Sequence, residues 1–326
     1  MPAHAEAKAS IGPLPLPASL LHLRARDIGG WGATVMVVMM TAAALSLAVR
    51  GNWAAWGAGQ ALLALAFLQW FVLLHETGHN TLFRTRVANL LIGHVASVFS
   101  LVPFFAWRRI HARHHKYTGW QDLDATTALL LPRQIALWEQ GAINFAWASY
   151  LPLFSIIYRI QNFWNFFRVR KYLTRPGDRR ALAINIVGML VTYALLVGAV
   201  GVIQILTIVG PALLLSLAVQ DIILLSQHTH MPTNLSGGAK VRCFQPIEQE
   251  RFTRSLRVPD WLSRLILGFD RHELHHMYVH VPGYDLHRID YRPRNEVDWL
   301  TWLRGAKRLG GTVFLFGDRD QTGFRL

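Results

Sequence analysis

The sequence predicts an all-helical integral membrane protein with four transmembrane helices, one re-entrant or interfacial helix and a cytoplasmic helical cap. Three observations carry this expectation. Of 326 residues, 52% are apolar and only 16% charged, with a mean hydropathy of +0.25, too apolar for a soluble chain of this size. The apolar residues gather in runs near the ~20 residues that a helix needs to cross a bilayer core. The basic residues, 33 Lys and Arg against 19 Asp and Glu, avoid two of the segments between these runs.

Residues 1–20 are Ala/Pro-rich, with Lys8 as their sole Lys or Arg, and lack the pattern of a secretory signal. They open an expected cytoplasmic tail, residues 1–30. The first uncharged run, Trp31 to Val49, is span one; after Arg50, Gly51 and Asn52, span two runs from Ala54 to Leu74 with Gln60 and Gln69 as polar interruptions and leads into His75. A third apolar block, Val87 to Trp107, is broken by His94 and Pro103 and flanked by histidine clusters at both ends. If it crossed the membrane, those clusters would lie about 30 Å apart, so it is expected to be re-entrant or interfacial. Residues 108–180 mix charged and aromatic residues, as membrane-surface helices do. Ala181 to Leu225 has the length of two helices, spans three and four, with a tight turn expected at Gly210-Pro211. The catalytic domain is expected over 31–290, followed by a cytoplasmic tail, 291–326.

Arg50 alone lies in the loop after span one, and no Lys or Arg falls between Arg180 and Lys240. By the positive-inside rule the opposite side is cytoplasmic, which gives a multi-pass membrane protein with both termini and all histidine clusters in the cytosol, in the inner or plasma membrane if bacterial. The high pI is then topology, with no nucleic-acid partner implied. The single cysteine, Cys243, excludes an internal disulfide framework and thiolate-held zinc or iron–sulfur clusters, so any metal must be held by His or carboxylate.

Three clusters hold eight of the 15 histidines: His75 and His79; His111, His114 and His115; His272, His275 and His276. Residues three and four apart share a helix face with Cβ atoms roughly 5–6 Å apart, so each cluster can aim its imidazoles at one point. A lone pair at this spacing is more often solvated; three clusters on one predicted face are not. A ninth candidate is His228 or His230, at the end of span four. Eight or nine nitrogens exceed one metal's needs and suggest two ions with open positions, although imidazole suits Zn, Cu, Fe and Ni alike.

The order HxxxH, HxxHH, then a distal HxxHH after two further spans resembles the membrane fatty acid desaturase and hydroxylase superfamily. The local strings HARHHKYTG (from His111), LSQHTHMP (from Leu225) and HELHHMYVHVPGY (from His272) are similar to segments of bacterial and plant acyl-lipid desaturases. The resemblance covers roughly residues 50–290. It implies that His75, His79, His111, His114, His115, His272, His275 and His276 ligate two iron ions, with His228 a likelier ninth than His230. It further implies O2 as oxidant, a lipid or acyl substrate, and desaturation, with hydroxylation of a lipid or carotenoid-like substrate as the alternative. The sequence has no haem, flavin or nicotinamide motif, so electrons must come from an external ferredoxin-, rubredoxin- or cytochrome b5-like donor.

Around this set, Asp221 lies seven residues before His228, as a supporting carboxylate or a partner of Asn185 or Gln204. Asp122 and Asp124 either orient imidazoles of the second cluster or cap helices. His280 reads as supporting or surface, and His4, His22, His94 and His287 as non-catalytic. Trp53, Trp56, Trp107, Trp120, Trp164 and Trp261 read as interfacial anchors. The string His75-Glu76-x-x-His79 also fits a zinc protease with Glu76 as base, but that leaves six clustered histidines unexplained. A metal transporter would need ligands along a path across the bilayer.

Overall fold

The computed structural model describes residues 17–326, so His4 and the start of the expected N-terminal tail lie outside the described residues. It divides into two compact units: the first comprises Ala25–Arg113 and Ser149–Asp221, the second the described residues up to Arg24 together with His114–Ala148 and Ile222–Leu326.

Among the described residues four helices are long and apolar enough to cross a membrane: α1 (Asp27–Ala48), α2 (Trp53–His79), α8 (Pro176–Val200) and α10 (Gly210–His228). In α8 only 11% of the apolar window is buried, against 72% in α2, so α8 turns Ile184, Val187 and Leu195 outward, as a lipid-facing helix does. α1 and α2 pack through a small residue: a Cβ on Gly59 would stand 2.7 Å from Ala48 N. α2 does not stop at Leu74; it continues through the first histidine cluster and ends where Asn80 adopts φ 60°. The expected turn at Gly210-Pro211 is a helix start instead. The chain breaks earlier, at Gly201 (φ 92°) and Val209, with the short helix α9 (Val202–Ile208) between. Proline lacks an N–H and so fits a first helical turn. Gln60 bridges the Val209 break, donating to Ile208 O at 2.9 Å and accepting from Ala212 N at 2.9 Å.

The apolar block after the first cluster forms α3 (Arg86–Ser100) and α4 (Phe104–Tyr117), bent by 96° at the break. Gly93 permits the fold-back, since a Cβ there would lie 2.2 Å from the Phe104 ring. A helix end away from water needs partners for its last carbonyls. Tyr193 Oη donates to Val98 O at 2.9 Å, Arg159 Nε to Ser100 O at 3.1 Å and Trp164 Nε1 to Leu101 O at 2.9 Å. Arg159, at the end of α6 (Leu153–Arg159), is buried and also donates to Gln220 Oε1 at 2.5 Å. Its role as a cap had no signal in the sequence.

In the second unit, α5 (Leu137–Ala148) meets α14 (Gly311–Phe316), with Trp147 stacked on Phe314 at 4.7 Å. A two-residue parallel pair joins β1 (Leu256–Arg257) to β2 (Val297–Asp298). α12 (His272–Met277) rests on an apolar cluster of Leu274, Met277, Tyr278, Val281, Leu286, Ile289 and Tyr291, into which Leu20 and Leu23 insert. Residues of both expected tails pack against the second unit within the described residues. The segment 17–24 joins that cluster, and residues 291–326 bury Trp302 and Phe314, because their apolar side chains complete the packing.

Candidate metal centre

In the first unit, the last turns of α2 bring His75 and His79 against His111 of α4. The ring centroids are 4.9 Å apart for His75–His79, 4.8 Å for His75–His111 and 4.7 Å for His79–His111. Trp107 lies parallel to His111 at 4.7 Å and is 1% exposed. It was expected at the membrane interface, but it is a wall of this trio. Gly78 admits it: a Cβ there would sit 2.8 Å from Trp107 Nε1. Glu76 faces His75 Nδ1 at 3.1 Å and accepts from Thr81 Oγ1 at 2.9 Å.

In the second unit four histidines converge. His114, His228, His272 and His276 each offer one ring nitrogen, and these atoms all lie within 4.8 Å of one another. His114 Nδ1 is 2.7 Å from Asp124 Oδ2, His228 Nδ1 is 3.3 Å from Phe252 O, and His276 Nδ1 is 2.8 Å from Gln249 Oε1. The Gln249 oxygen is the acceptor, since its Nε2 donates to His115 O at 2.8 Å. These three acceptors require N–H at each Nδ1, which leaves the Nε2 atoms as lone pairs. The lone pairs of His114 and His276 face one another at 3.3 Å, and the His228 lone pair points at His272 Nε2, 2.9 Å away. Such an arrangement is repulsive without a cation and matches the outer-sphere support that metal-bound imidazoles receive. The residues therefore fit a metal ion. A further pair, His115 and His275, stands Nε2 to Nε2 at 3.1 Å.

Electrostatics agree with neutral ligands. Burial, joined by the neighbouring imidazoles of His115, His272, His114 and His228, pushes His276 well below its ordinary value. Burial alone would raise the Asp124 carboxyl, but His114 and the Thr126 hydrogen bond hold it below the usual range. Burial drives Glu273 up to about 8. Its carboxyl group accepts from Ser255 N at 3.0 Å and Asn295 N at 2.8 Å, which ties α12 both to the loop after the short 3-10 helix Pro246–Phe252 and to the segment before β2. Arg254, buried in that loop, donates to the Ser226 and Thr229 carbonyls at 2.9 and 3.0 Å and so holds the end of α10 that bears His228.

Of the supporting residues expected from sequence, Asp124 meets an imidazole. Asp122 does not: both its oxygens accept from Ser236 N, at 2.9 and 3.1 Å. Asp221 accepts from Ser155 N at 2.6 Å, rather than from Asn185 or Gln204, because the start of α6 presents a bare N–H there. His230 turns away from the quartet at φ 57°, with Nε2 2.9 Å from Phe314 O and Nδ1 3.0 Å from Thr322 Oγ1. His22, His94, His280 and His287 are exposed. Gln249, Thr126 and Arg254 sit in no motif, and Glu273, although inside the third histidine cluster, acts through Ser255 and Asn295, so none of the four carried a signal in the sequence.

The family model described as fatty acid desaturase matches residues 51–303. Among curated relatives, a probable fatty acid desaturase of Sorghum bicolor is 22% identical over 275 residues, covering 78% of this chain and 69% of that protein. The chloroplastic sn-2 acyl-lipid omega-3 desaturase (ferredoxin) of Helianthus annuus is 24% identical over 278 residues, covering 78% of this chain and 60% of its own length. The sn-1 oleoyl-lipid 12-desaturase of Anabaena variabilis is 22% identical over 257 residues, covering 76% and 71%. With its apolar helices, its convergent histidines and a match across most of its length, the chain belongs to the fatty acid desaturase family and is a desaturase-like oxidoreductase.

Proposed function

We propose that this protein uses O2 and two iron ions to introduce a double bond into a fatty acyl chain of a membrane lipid. The observation that carries the reading is the His114, His228, His272 and His276 quartet, in which three Nδ1 protons are engaged, at His114, His228 and His276, and the ring nitrogens converge. One ion would sit on this quartet. By the resemblance to the family's three histidine clusters, the remaining histidines His75, His79, His111, His115 and His275 would supply the second; His111 and His115 stand four residues apart on α4 and so share one helical face. Neutral imidazole donors suit iron, and the ligand count supports a redox pair over a three-ligand zinc.

Bound iron would supply the oxygen activation that removing hydrogen from an unactivated C–H bond requires. The protein's own groups do the rest. Asp124, Gln249 and the Phe252 carbonyl keep a proton on each Nδ1 and so fix the tautomer. Trp107 closes the His111 side against water. In the balance, the acyl chain loses two hydrogens with two electrons, the donor adds two electrons, two protons enter, and O2 leaves as two waters. The sunflower relative's name specifies ferredoxin, which supports a ferredoxin-like donor here, with rubredoxin- or cytochrome b5-like carriers as alternatives. The basic residues support placement of both termini and the histidines on the cytoplasmic side. Glu76, engaged by Thr81 and facing His75 Nδ1, is poorly placed as a protease base.

The test is expression of the full chain in a lipid-producing host, with metal analysis of the purified protein and mass spectrometry of host lipids against His276→Ala. Two irons per chain and lipids lighter by two hydrogens are expected. A single zinc with unaltered lipids would overturn the proposal, and lipids heavier by one oxygen would make the enzyme a hydroxylase.

A further inference from the structure

Outside the histidine set, the second unit contains a cleft of about 230 Å³ lined by Arg264, Arg271, His287, Ser263, Tyr284 and Gly268 among others, with no carboxylate in its wall. That volume is far above the roughly 15 Å³ a single water needs. Part of its wall depends on glycine. Gly268 holds φ 69°, and a Cβ there would stand 2.8 Å from Gly283 O, so two backbone segments touch where no side chain fits.

Asp270 feels the charge of Arg271 but forms no ion pair with it. Neighbouring arginines are engaged: Arg257 and Arg292 by Glu296, Arg288 by Asp285, Arg294 by Glu250. Arg264 and Arg271 form no ion pair among the described residues, and Arg271 Nε is buried with no hydrogen-bond partner among them. Asp270, the adjacent acid, has both oxygens engaged by Ser263 Oγ at 2.8 and 2.9 Å. A buried guanidinium donor is rarely left unmatched, and the acceptors that suit a pair of arginines are the oxygens of a phosphate.

We infer that this cleft binds the phosphate of a phospholipid headgroup. A lipid source is favoured over free phosphate by Trp261, which is 64% exposed and precedes Arg264 by three residues on α11 (Asp260–Leu265). Tryptophan beside arginine settles at headgroup depth in membranes. Resting on the function proposed above, the assignment narrows the substrate to a phosphoglyceride, since Arg271 immediately precedes His272 in the chain.

Native mass spectrometry of the full chain in detergent micelles tests this with three probes: dioleoyl phosphatidylglycerol, a dioleoyl galactosyl diacylglycerol without phosphate, and inorganic phosphate. Phosphatidylglycerol should be retained roughly tenfold over the galactolipid, and Arg264→Gln with Arg271→Gln should lower its retention by about the same factor. The single variants Arg264→Gln and His287→Gln, neither of them adjacent to a histidine ligand in the chain, should each lower it several-fold with iron content unchanged, and they carry the test if the double variant misfolds. Equal retention by wild type and variants, equal retention of the galactolipid, or displacement by inorganic phosphate at matched concentration overturns the inference. Phosphatidylglycerol retention without any lipid desaturation would sink the enzyme reading and leave the site standing. Desaturation with variant-independent retention would do the reverse.

Discussion

The His114, His228, His272 and His276 quartet and the His75, His79 and His111 trio are built by different physics. Three members of the quartet have the far nitrogen held by a carboxylate, an amide oxygen or a backbone carbonyl, so polar contacts from distant segments set their tautomer. The trio gains its order from two helices and an aromatic wall: α2 fixes His75 and His79 one turn apart, and Trp107 lies parallel to His111 in the space left by Gly78. Polar orientation controls the chemistry of each nitrogen and is sensitive to single atoms. Packing controls ring position and is sensitive to volume.

His276→Ala removes a ligand and opens the quartet, so iron bound there and lipid desaturation should both fall below detection in metal analysis and product assays; full iron with full activity would end the quartet's claim. Asp124→Asn keeps shape and removes charge, and should weaken iron affinity on the order of 10–100-fold, read by competition with a chelator. Gln249→Leu should act in the same direction. Trp107→Ala tests packing, with an expected loss of about 3–5 kcal/mol in stability, seen in melting, and a smaller change in chelator resistance than Asp124→Asn produces. If the two rank the other way, the distinction between the regions fails. Asp221→Asn should do least, under about 1 kcal/mol, because the amide oxygen can still accept from Ser155 N. A marked loss of iron in that variant would restore Asp221 to the metal centre.

Apolar runs revealed the four long helices because crossing a bilayer is a local demand, met by each segment alone. The exceptions are instructive. Gly210-Pro211 reads equally as turn or helix start, and only Gln60, some 150 positions away, satisfies the break that lies just before it. Residues 291–326 follow the last histidine cluster and read as a tail, yet Trp302 and Phe314 are buried. In the sequence only the resemblance separates His228 from His230, whereas in the fold Phe314 and Thr322 hold His230.

The sequence by itself determined the spans, the lopsided charge and the histidine spacing, since helical period and hydropathy act within a few residues of one another. Tertiary structure alone decided which nitrogen each imidazole presents, through Asp124, Gln249 and Phe252, and how the bend after α3 closes, through Arg159, Trp164 and Tyr193. A hydrogen bond joins atoms whose separation along the chain leaves no periodic trace, so its partner becomes visible only once the chain has folded.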